Sequence, residues 1–400
     1  MSPSVQPPTT AVSHSIEEIC NRKEVPSPCF LINESLLARN LNILEQVQRE
    51  SGCKIILALK GFAMWSTFPQ ISKVLHGTTA SSLNEAKLGQ EKFGGEVHAY
   101  CVAYRDEEMD YLSKNAHHIT LNSLTQWQRF QHYNSDPSTT ASFGLRINPQ
   151  YSEVETSIYN PCRKGTRFGI TAADLEKAGP SILEGIEGLH FHTMCEQNSD
   201  TLERTLKHVE TKFGAHLHNM KWLNCGGGHH ITRADYDTAR LIRLIKNLRS
   251  NYNIEVYLEP GEAVALNTGF LITSVMDRFD SDGHPIAILD ASASAHMPDV
   301  LEMPYRPEII GAGLPGEKPH TITLGGTTCL AGDIIGDWSF DNDLKVGDRL
   351  IFTDMAHYSM VKTTHFNGVD HPAIARYHPA TDEVIIDRRF CYQDYRDRLS

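Results

Sequence analysis

The segment Ile55-Ile-Leu-Ala-Leu-Lys60-Gly-Phe62 is an apolar run that ends in a lysine and a glycine. Such a run, stopped by a turn residue, is typical of a strand buried in a parallel sheet. The strand predicted here is Lys54–Leu59, and similar runs recur at Cys29–Ile32, Val97–Val102, His118–Leu121, Ser142–Ile147, Gly188–His192, Trp222–Cys225 and Glu255–Leu258. Amphipathic helices are predicted between them at Ser35–Arg49, Leu83–Lys92, Leu124–Tyr133, Ser199–Lys212 and Asp235–Asn251. This alternation predicts an α/β fold, a TIM-type (β/α)8 barrel.

The pattern changes after Pro260, where apolar runs are separated by turns rather than by helices. These runs are Phe270–Val275, Ile286–Leu289, Thr321–Leu324, Asp348–Phe352 and Glu383–Asp387. They predict a second, mostly-β domain, and a chain of 400 residues is long enough for two cores. We therefore expect a loose tail at 1–14, a barrel at 41–267, and a β domain at 268–400 joined by the strand segment at 15–40.

Composition excludes several classes of protein. A net charge of -12 without any Lys/Arg run argues against a partner with a phosphate backbone and against anionic membrane surfaces, and it suits a cationic substrate. No segment has the length of a membrane-spanning helix. The nine cysteines form no C-x-x-C pair, so they predict neither a zinc site nor a disulfide framework, but reduced thiols in the cytoplasm. Residues 1–14 lack the features of a secretory signal.

Reactive groups of a barrel enzyme lie at the carboxyl ends of the strands. Lys60 ends one predicted strand, where apolar neighbours would lower the pKa of its amine and make it nucleophilic. Gly226-Gly-Gly228 follows another strand, and its amides could wrap a phosphate. Glu259 ends a third strand and could pair with a protonated pyridine nitrogen. Taken singly, these features also suit an exposed lysine, a plain turn and a surface ion pair.

His190 and His192 lie two apart on one predicted strand, so their side chains share a face. They could be a metal pair with Asp290, His296 and His357 as further ligands, as in a metal-dependent barrel hydrolase. Alternatively, His192 lies flat against a cofactor ring while His190 is a core histidine. Cys329, in a glycine-rich loop, could donate a proton to a carbanion, although lone cysteines are usually small buried apolar residues.

Together these motifs resemble, in their order, the fold-type III pyridoxal-phosphate (PLP) decarboxylases, which include ornithine, diaminopimelate and arginine decarboxylases. The resemblance runs from Pro28 to the C-terminus. It rests on Lys60, Gly188-Leu-His-Phe-His192, Gly226-Gly-Gly228, Glu259-Pro-Gly261, Cys329-Leu-Ala-Gly-Asp333, and Tyr358 with Phe366-Asn-Gly368. Within the family, the chain is most similar to the carboxynorspermidine and carboxyspermidine decarboxylases. That likeness rests on Leu189 to Glu196, Glu259 to Ala263 and His296 to Pro307.

The resemblance implies PLP as the cofactor, with Lys60 as the Schiff-base lysine and His192 stacked on the ring. Glu259 would pair with the ring nitrogen. Cys329 would be the proton donor supplied by a partner subunit, so that a homodimer shares its two sites. The remaining implied cofactor contacts are Glu85, Arg146, Cys195, Gly226, Gly227, Gly228 and Tyr358. The residues implied for the substrate are Glu262, Asp290 and Asp333.

Two departures from the family pattern bear on the substrate. Glu262 stands where many members carry an arginine that contacts the phosphate, and Leu330 replaces an acid that recognises a substrate amine. Both changes argue against ornithine, Leu330 argues against diaminopimelate, and both agree with a carboxylated polyamine. Diaminopimelate or another basic amino acid remains an alternative substrate of the same fold.

Overall fold

The computed structural model describes residues 14–400, so the predicted tail falls almost entirely outside it. The chain divides into two compact units. One comprises residues 38–266, and the other comprises residues 267–400 together with the N-terminal part up to Leu37. The first described elements are α1 (Ile16–Cys20), β1 (Cys29–Asn33) and α2 (Glu34–Ser51). The end of α2 lies in the first unit, whereas β1 belongs to the second.

The unit at 38–266 is a closed barrel of eight parallel strands. The strands are β2 (Lys54–Ala58), β3 (Gly77–Ala80), β4 (Glu96–Tyr100), β5 (His118–Leu121), β6 (Ser142–Arg146), β7 (Gly188–His190), β8 (Trp222–Asn224) and β9 (Glu255–Leu258). The helices are α3 (Phe68–Ile71), α4 (Leu83–Leu88), α5 (Asp106–Asn115), α6 (Leu124–Phe130), α7 (Ala172–Ala178), α8 (Ser199–Leu217), α9 (Thr238–Tyr252) and α10 (Glu262–Ala265). Pairing of Ile55 with Leu258 closes the barrel, which confirms the predicted fold class.

Strand β3 is a barrel strand that the apolar pattern does not predict. Its residues are Gly-Thr-Thr-Ala, without an apolar run, yet all four are buried between β2 and β4. A side chain on Gly77 would place its Cβ 2.0 Å from the carbonyl oxygen of Glu96. Small residues are therefore required because the neighbouring backbone comes so close, and that requirement is set by the barrel rather than by local preference.

The other unit contains a twisted β-sheet. Its elements are β10 (Gly269–Ser281), β11 (His284–Leu289), α11 (Ala293–His296), α12 (Asp299–Glu302), β12 (His320–Gly325), β13 (Ile334–Phe340), β14 (Arg349–Phe352), β15 (Ala373–His378), β16 (Glu383–Arg388) and α13 (Tyr392–Arg396). The sheet order is β13-β12-β11-β10-β1-β15-β16, with β14 also paired to β10. The mostly-β character is confirmed, and β13 and β15 are strands that the sequence pattern did not single out.

The β unit has two apolar cores, one on each side of its long strand β10. Leu271 and Val275 pack in a core with Trp338 and Phe352, whereas Ile272 packs in the other core. Alternate residues of β10 thus supply opposite faces. Among the described residues, no helix combines the length and the apolar character that crossing a membrane requires.

Candidate active site

The residues predicted to be reactive meet at one end of the barrel. Lys60 and His192 each lie two residues beyond the end of a strand, Gly226 lies two residues beyond β8, and Glu259 directly follows β9. Because all eight strands are parallel, these positions share the carboxyl-end face of the barrel, where barrel enzymes carry their chemistry. The structure thus brings together groups that are up to two hundred residues apart in sequence.

Lys60 combines an accessible side chain with a depressed basicity. Its side chain is exposed, but the surrounding protein lowers the pKa of its amine, first through desolvation and then through the positive charge of Arg146. The charges of Glu259, Cys195 and Glu85 act in the opposite direction. An amine that is accessible and more easily deprotonated than an ordinary lysine is a better nucleophile.

Glu259 is a buried carboxylate, only 8% exposed, with both oxygens engaged. His190 Nε2 lies 3.1 Å from one oxygen, and Asn224 Nδ2 donates to the other at 2.7 Å. Burial alone would raise the pKa of Glu259, but His190 and Asn224 lower it overall. Burial lowers the pKa of His190, so a neutral imidazole donates its Nε2 proton. Glu259 is therefore an anion at neutral pH.

His192 is held in one tautomer by the glycine loop. The amide of Gly227 donates to His192 Nδ1 at 2.9 Å, so the proton of the neutral ring lies on Nε2. Desolvation, followed by the charges of Lys60 and Arg146, holds the pKa of His192 well below its ordinary value. A neutral imidazole ring that is held in one orientation can stack on the flat face of a cofactor ring.

The loop Gly226-Gly-Gly228 is tightly enclosed. Gly226 and Gly228 have φ angles of 69° and 81°, and a Cβ on Gly228 would lie 2.0 Å from the carbonyl oxygen of Met194. The Gly226 amide donates to Asn224 and the Gly227 amide donates to His192, so these two amides are already bonded within the protein. Within residues 14–400, the amides of Gly228 and His229 have no acceptor. They remain free for an anion.

Arg146 lies between two aromatic rings beside Lys60. Its guanidinium is 4.6 Å from the Tyr100 ring centroid and 4.4 Å from that of Phe168, and it donates to the carbonyl of His192 at 3.1 Å. Glu85 accepts from the amide of Ser81 at 2.6 Å, and burial raises its pKa. The charge of Arg146 lowers the pKa of Lys60, and the charge of Glu85 raises it. The hydrogen bond from Arg146 also holds the backbone at His192.

The glycine-rich loop of the β unit presents Cys329 at the surface. Cys329 is exposed, and its amide donates to Asn367 Oδ1 at 2.7 Å. Asp333, which the resemblance assigned to the substrate, is 3% exposed and accepts from Ala293 at 2.8 Å and from Thr328 Oγ1 at 2.6 Å. In this unit Asp333 therefore anchors the loop that carries the thiol.

The other residues nominated in the β unit have local partners. Asp290 accepts from Ser27 Oγ at 2.7 Å, and burial raises its pKa. His296 is bonded to Asp370 O and His357 to Asp354. Tyr358 has a left-handed backbone with φ of 51°. Across residues 14–400, one group of potential ligands has the spacing of a metal site, and it contains none of the histidines that were nominated for a metal. One of those histidines, His190, is hydrogen-bonded to Glu259.

Comparison with known proteins extends over nearly the whole chain. The family described as "Pyridoxal-dependent decarboxylase, C-terminal sheet domain" matches residues 30–356. The carboxyaminopropylagmatine decarboxylase of Synechocystis sp. is 47% identical over 94% of this chain and 96% of its own length. The carboxynorspermidine/carboxyspermidine decarboxylase of Campylobacter jejuni is 41% identical over 93% of this chain and 98% of its own. The chain belongs to the pyridoxal-dependent decarboxylase family.

Solved structures agree with this assignment. The crystal structure of carboxynorspermidine decarboxylase complexed with norspermidine from Campylobacter jejuni has a TM-score of 0.86 at 40% identity, covering 94% of this chain and 100% of that chain. Diaminopimelate decarboxylase from Helicobacter pylori, at 16% identity and a TM-score of 0.79 over 96% of this chain and 99% of that chain, shares the fold. The protein is a PLP-dependent decarboxylase, as the ordered motifs predicted.

The residues at the barrel end fit PLP. The accessible Lys60 amine, with its lowered pKa, suits the aldehyde of the cofactor, and the ionised Glu259 carboxylate suits its ring nitrogen. The amides of Gly228 and His229, which have no acceptor among the described residues, suit its phosphate. The loop is so enclosed that a Cβ on Gly226 would lie 2.4 Å from Phe191 O. The cradle therefore admits an anion only because glycines form it.

Two residues of the candidate site, Asn224 and Tyr100, were not predicted from the sequence. Asn224 donates to Glu259 and also accepts from Gly226 at 2.8 Å, and Tyr100 stacks on His190 with ring centroids 5.3 Å apart. Asn224 comes just before the glycine loop and Tyr100 ends β4. Their positions at strand ends are the signal that could have identified them, because strand ends are where barrel chemistry lies.

Proposed function

We propose that the protein removes CO2 from a carboxylated polyamine, with carboxynorspermidine and carboxyspermidine as substrates. Two groups at one end of the barrel carry the proposal. They are the Lys60 amine, whose pKa is lowered, and the Glu259 carboxylate, which His190 and Asn224 hold. The named relatives, at 47% and 41% identity, act on substrates of this class. Each of those substrates is an amine extended by a carboxylated aminopropyl arm.

A second substrate is favoured by sequence identity. The relative with 47% identity is named for carboxyaminopropylagmatine, whereas the carboxynorspermidine/carboxyspermidine relatives are 41% and 38% identical. Aminopropylagmatine has a guanidinium at its far end where norspermidine and spermidine have an ammonium. The reacting arm is the same in both, so the residues around Lys60 serve either substrate. The residues that distinguish the two substrates are those that contact the guanidinium or the ammonium at the far end of the substrate.

Each proposed role follows from the geometry of the chain's own residues. When bound, PLP supplies a sink for the electron pair that is left when CO2 departs. Lys60 would hold the cofactor through its amine, and the ionised Glu259 would pair with the ring nitrogen and keep it protonated. His192, neutral and fixed by Gly227, would cover the ring face, and the amides of Gly228 and His229 would receive the phosphate.

We assign the return of a proton to the substrate carbon to Cys329 of a partner subunit, so the active enzyme is a homodimer. An exposed thiol beside Leu330, which is 44% exposed, suits a loop that a second copy covers. None of the nine cysteines takes part in a disulfide, in keeping with a cytoplasmic enzyme. Cys329→Ala should slow turnover or divert it to abortive transamination while cofactor stays bound. Unchanged kinetics and products would remove Cys329 from the scheme.

The proposed substrate is tested by a panel. Wild-type protein with added PLP is incubated with carboxynorspermidine, carboxyspermidine, carboxyaminopropylagmatine, diaminopimelate, ornithine and arginine, and CO2 release and products are measured. We expect turnover of the carboxylated polyamines and little of the others. Preferential turnover of diaminopimelate would contradict the proposal. A preference for carboxyaminopropylagmatine would establish the second substrate, because a site built for a guanidinium rejects an ammonium by several kcal/mol.

A further inference from the structure

Cys329 lies in a loop that is hydrogen-bonded to a second loop, which has no role in the scheme above. We call residues 327–333 the Cys329 loop and residues 364–371, which contain the Phe366-Asn-Gly368 motif, the Asn367 loop. Asn367 Oδ1 accepts from the amide of Cys329 at 2.7 Å. Both loops belong to the β unit. The position of the thiol therefore depends on where the second loop places the Asn367 side chain.

The Asn367 loop is a tight turn with a buried anchor. Asn367 and Gly368 have φ angles of 54° and 74°, in the left-handed region that asparagine and glycine occupy more readily than other residues. The amide of Gly368 donates to His365 O at 3.0 Å. His365 is 5% exposed, and its Nδ1 lies 3.1 Å from Val369 O. Because a carbonyl oxygen only accepts, Nδ1 is the donor. These contacts fix the direction of the Asn367 side chain.

The short helix α11 connects the two loops through hydrogen bonds at both of its ends. At the N-terminal end, Asp333 Oδ1, in the last residue of the Cys329 loop, accepts from Ser292 Oγ at 3.0 Å and from the amide of Ala293 at 2.8 Å. At the C-terminal end, His296 Nε2 lies 3.1 Å from Asp370 O in the Asn367 loop. The two loops are thus fastened to one element, and a shift of that element would move one loop relative to the other.

His296 is fully buried, and its hydrogen bonds define its tautomer. The amide of Ser292 donates to its Nδ1 at 3.1 Å, and Asp370 O can only accept, so the proton lies on Nε2. Burial lowers the pKa of His296 to about 4, and the ring is therefore neutral near pH 7. Each ring nitrogen has a defined partner, one beside the N-terminus of α11 and one in the Asn367 loop.

We infer that His296 and Asn367 are positioning residues for the proton transfer from Cys329, an inference that rests on the proposed function. In that transfer the S–H bond breaks, and the proton forms a C–H bond with the electron pair that CO2 leaves on the substrate carbon. The sulfur keeps the S–H electron pair as a thiolate and regains a proton from water. A donor misplaced by about 1 Å can lower the rate about a hundredfold. Asn367 holds the backbone of the donor, and His296 holds the Asn367 loop.

The first test removes the acceptor of the Cys329 amide. Asn367→Gly keeps the left-handed backbone, because glycine adopts positive φ freely. We expect kcat for the preferred carboxylated polyamine to fall about tenfold, as for the loss of one hydrogen bond. KM should change less than twofold, and PLP affinity should stay unchanged. Abortive transamination, measured as pyridoxamine phosphate formed per CO2 released, should rise because the donor is misplaced.

Two further variants separate the hydrogen bond from the backbone. Asn367→Asp keeps an acceptor oxygen and should stay within about twofold of the wild-type kcat and product ratio. Asn253→Gly is the matched control, since Asn253 is also exposed and left-handed, with φ of 55°, but follows α9 in the barrel unit. It should change none of these values. Equal losses in Asn367→Gly and Asn367→Asp would overturn the role of the Asn367 acceptor.

The role of His296 has its own pair of variants. His296→Leu should reproduce the kcat loss and the product ratio of Asn367→Gly, whereas His296→Gln, which keeps a donor and an acceptor, should stay closer to wild type. Equal losses in both would show that His296 acts through packing and would overturn its positioning role. Asn367 is exposed, so its variants test the inference even if His296→Leu does not fold.

Hydrogen–deuterium exchange tests the contact without any substrate. In the holoenzyme, the Cys329 amide should exchange about tenfold faster in Asn367→Gly than in wild type, and unchanged exchange would overturn the contact. Faster exchange with an unchanged kcat and product ratio would overturn the positioning role.

The Cys329→Ala variant separates this inference from the proposed function. Wild-type kinetics in Cys329→Ala would reject the proton donor itself, and the inference with it. Slow turnover in Cys329→Ala beside normal turnover in Asn367→Gly would reject the positioning role alone. The substrate panel tests the decarboxylation separately, and whichever substrate it identifies serves for these measurements.

Discussion

Replacing Gly228 by alanine tests whether the glycine loop is built to receive an anion. A Cβ at this position would lie 2.0 Å from Met194 O, whereas an ordinary contact between carbon and oxygen is about 3.3 Å. One of the two chains must move by roughly 1.3 Å. The left-handed backbone, with φ of 81°, adds about 1–2 kcal/mol, and the forced shift adds about 1–3 kcal/mol.

Gly94 provides a matched control for this change. It also belongs to the barrel unit and has a left-handed φ of 76°, but a Cβ there has no atom within 4 Å. Gly94→Ala should therefore carry the backbone cost alone, about 1–2 kcal/mol. The difference in unfolding free energy between the two variants, from urea denaturation of the apoprotein, should be about 1–3 kcal/mol.

The displacement of the Gly228 backbone should also weaken the binding of PLP. Moving the Gly228 amide removes a charge-assisted hydrogen bond to the phosphate, so PLP affinity should fall about tenfold to a hundredfold. Gly94→Ala should bind PLP as the wild type does. Titration of both apoproteins with PLP, followed by absorbance, gives the comparison. Equal PLP affinity in both variants would show that the Gly228 amide does not face the phosphate, and the cradle would have to be placed elsewhere.

Three further predictions follow from the pKa shifts and contacts of the barrel. Lys60→Ala should abolish turnover and the visible absorption of lysine-bound PLP, while Lys54→Ala, at the opposite barrel end, should keep the absorption; wild-type protein without PLP absorption would contradict the central assignment. Glu259→Gln should lower kcat by about a hundredfold or more, because a charge beside the ring nitrogen is lost; kcat within a few-fold of wild type would show that Glu259 does not tune the ring. Burial, with the nearby charge of His98, lowers the pKa of His118 to about 2, so its stability contribution is present above the unfolded pKa of about 6.5 and is lost as pH falls. His118→Phe should remove about 1 kcal/mol of the stability that the wild type loses between pH 6.5 and 5.5 in urea denaturation, and an identical pH slope in both proteins would show that the shift is absent.

The barrel can be predicted from the sequence because most of its strands are apolar runs, as burial on both faces requires. Strand β3 cannot be predicted in this way, because it has the sequence Gly-Thr-Thr-Ala and its Gly77 is required by the nearness of the Glu96 backbone. Nor does the sequence reveal that the Asp333 carboxylate anchors the loop of Cys329; the assignment of Asp333 to the substrate stays a prediction. Both features depend on contacts with other segments of the chain, which the local sequence pattern does not encode.

The sequence by itself determined the family, because Lys60, the glycine loop and Glu259 each follow a recognisable strand in a fixed order. Only the tertiary structure decided their states. Closing eight strands into a barrel places His190 and Asn224 against Glu259, which keeps that carboxylate ionised. It also commits the amides of Gly226 and Gly227 to side chains, and among the described residues it leaves the amides of Gly228 and His229 without an acceptor. Charge and hydrogen bonding depend on distance in space, and folding alone sets that distance.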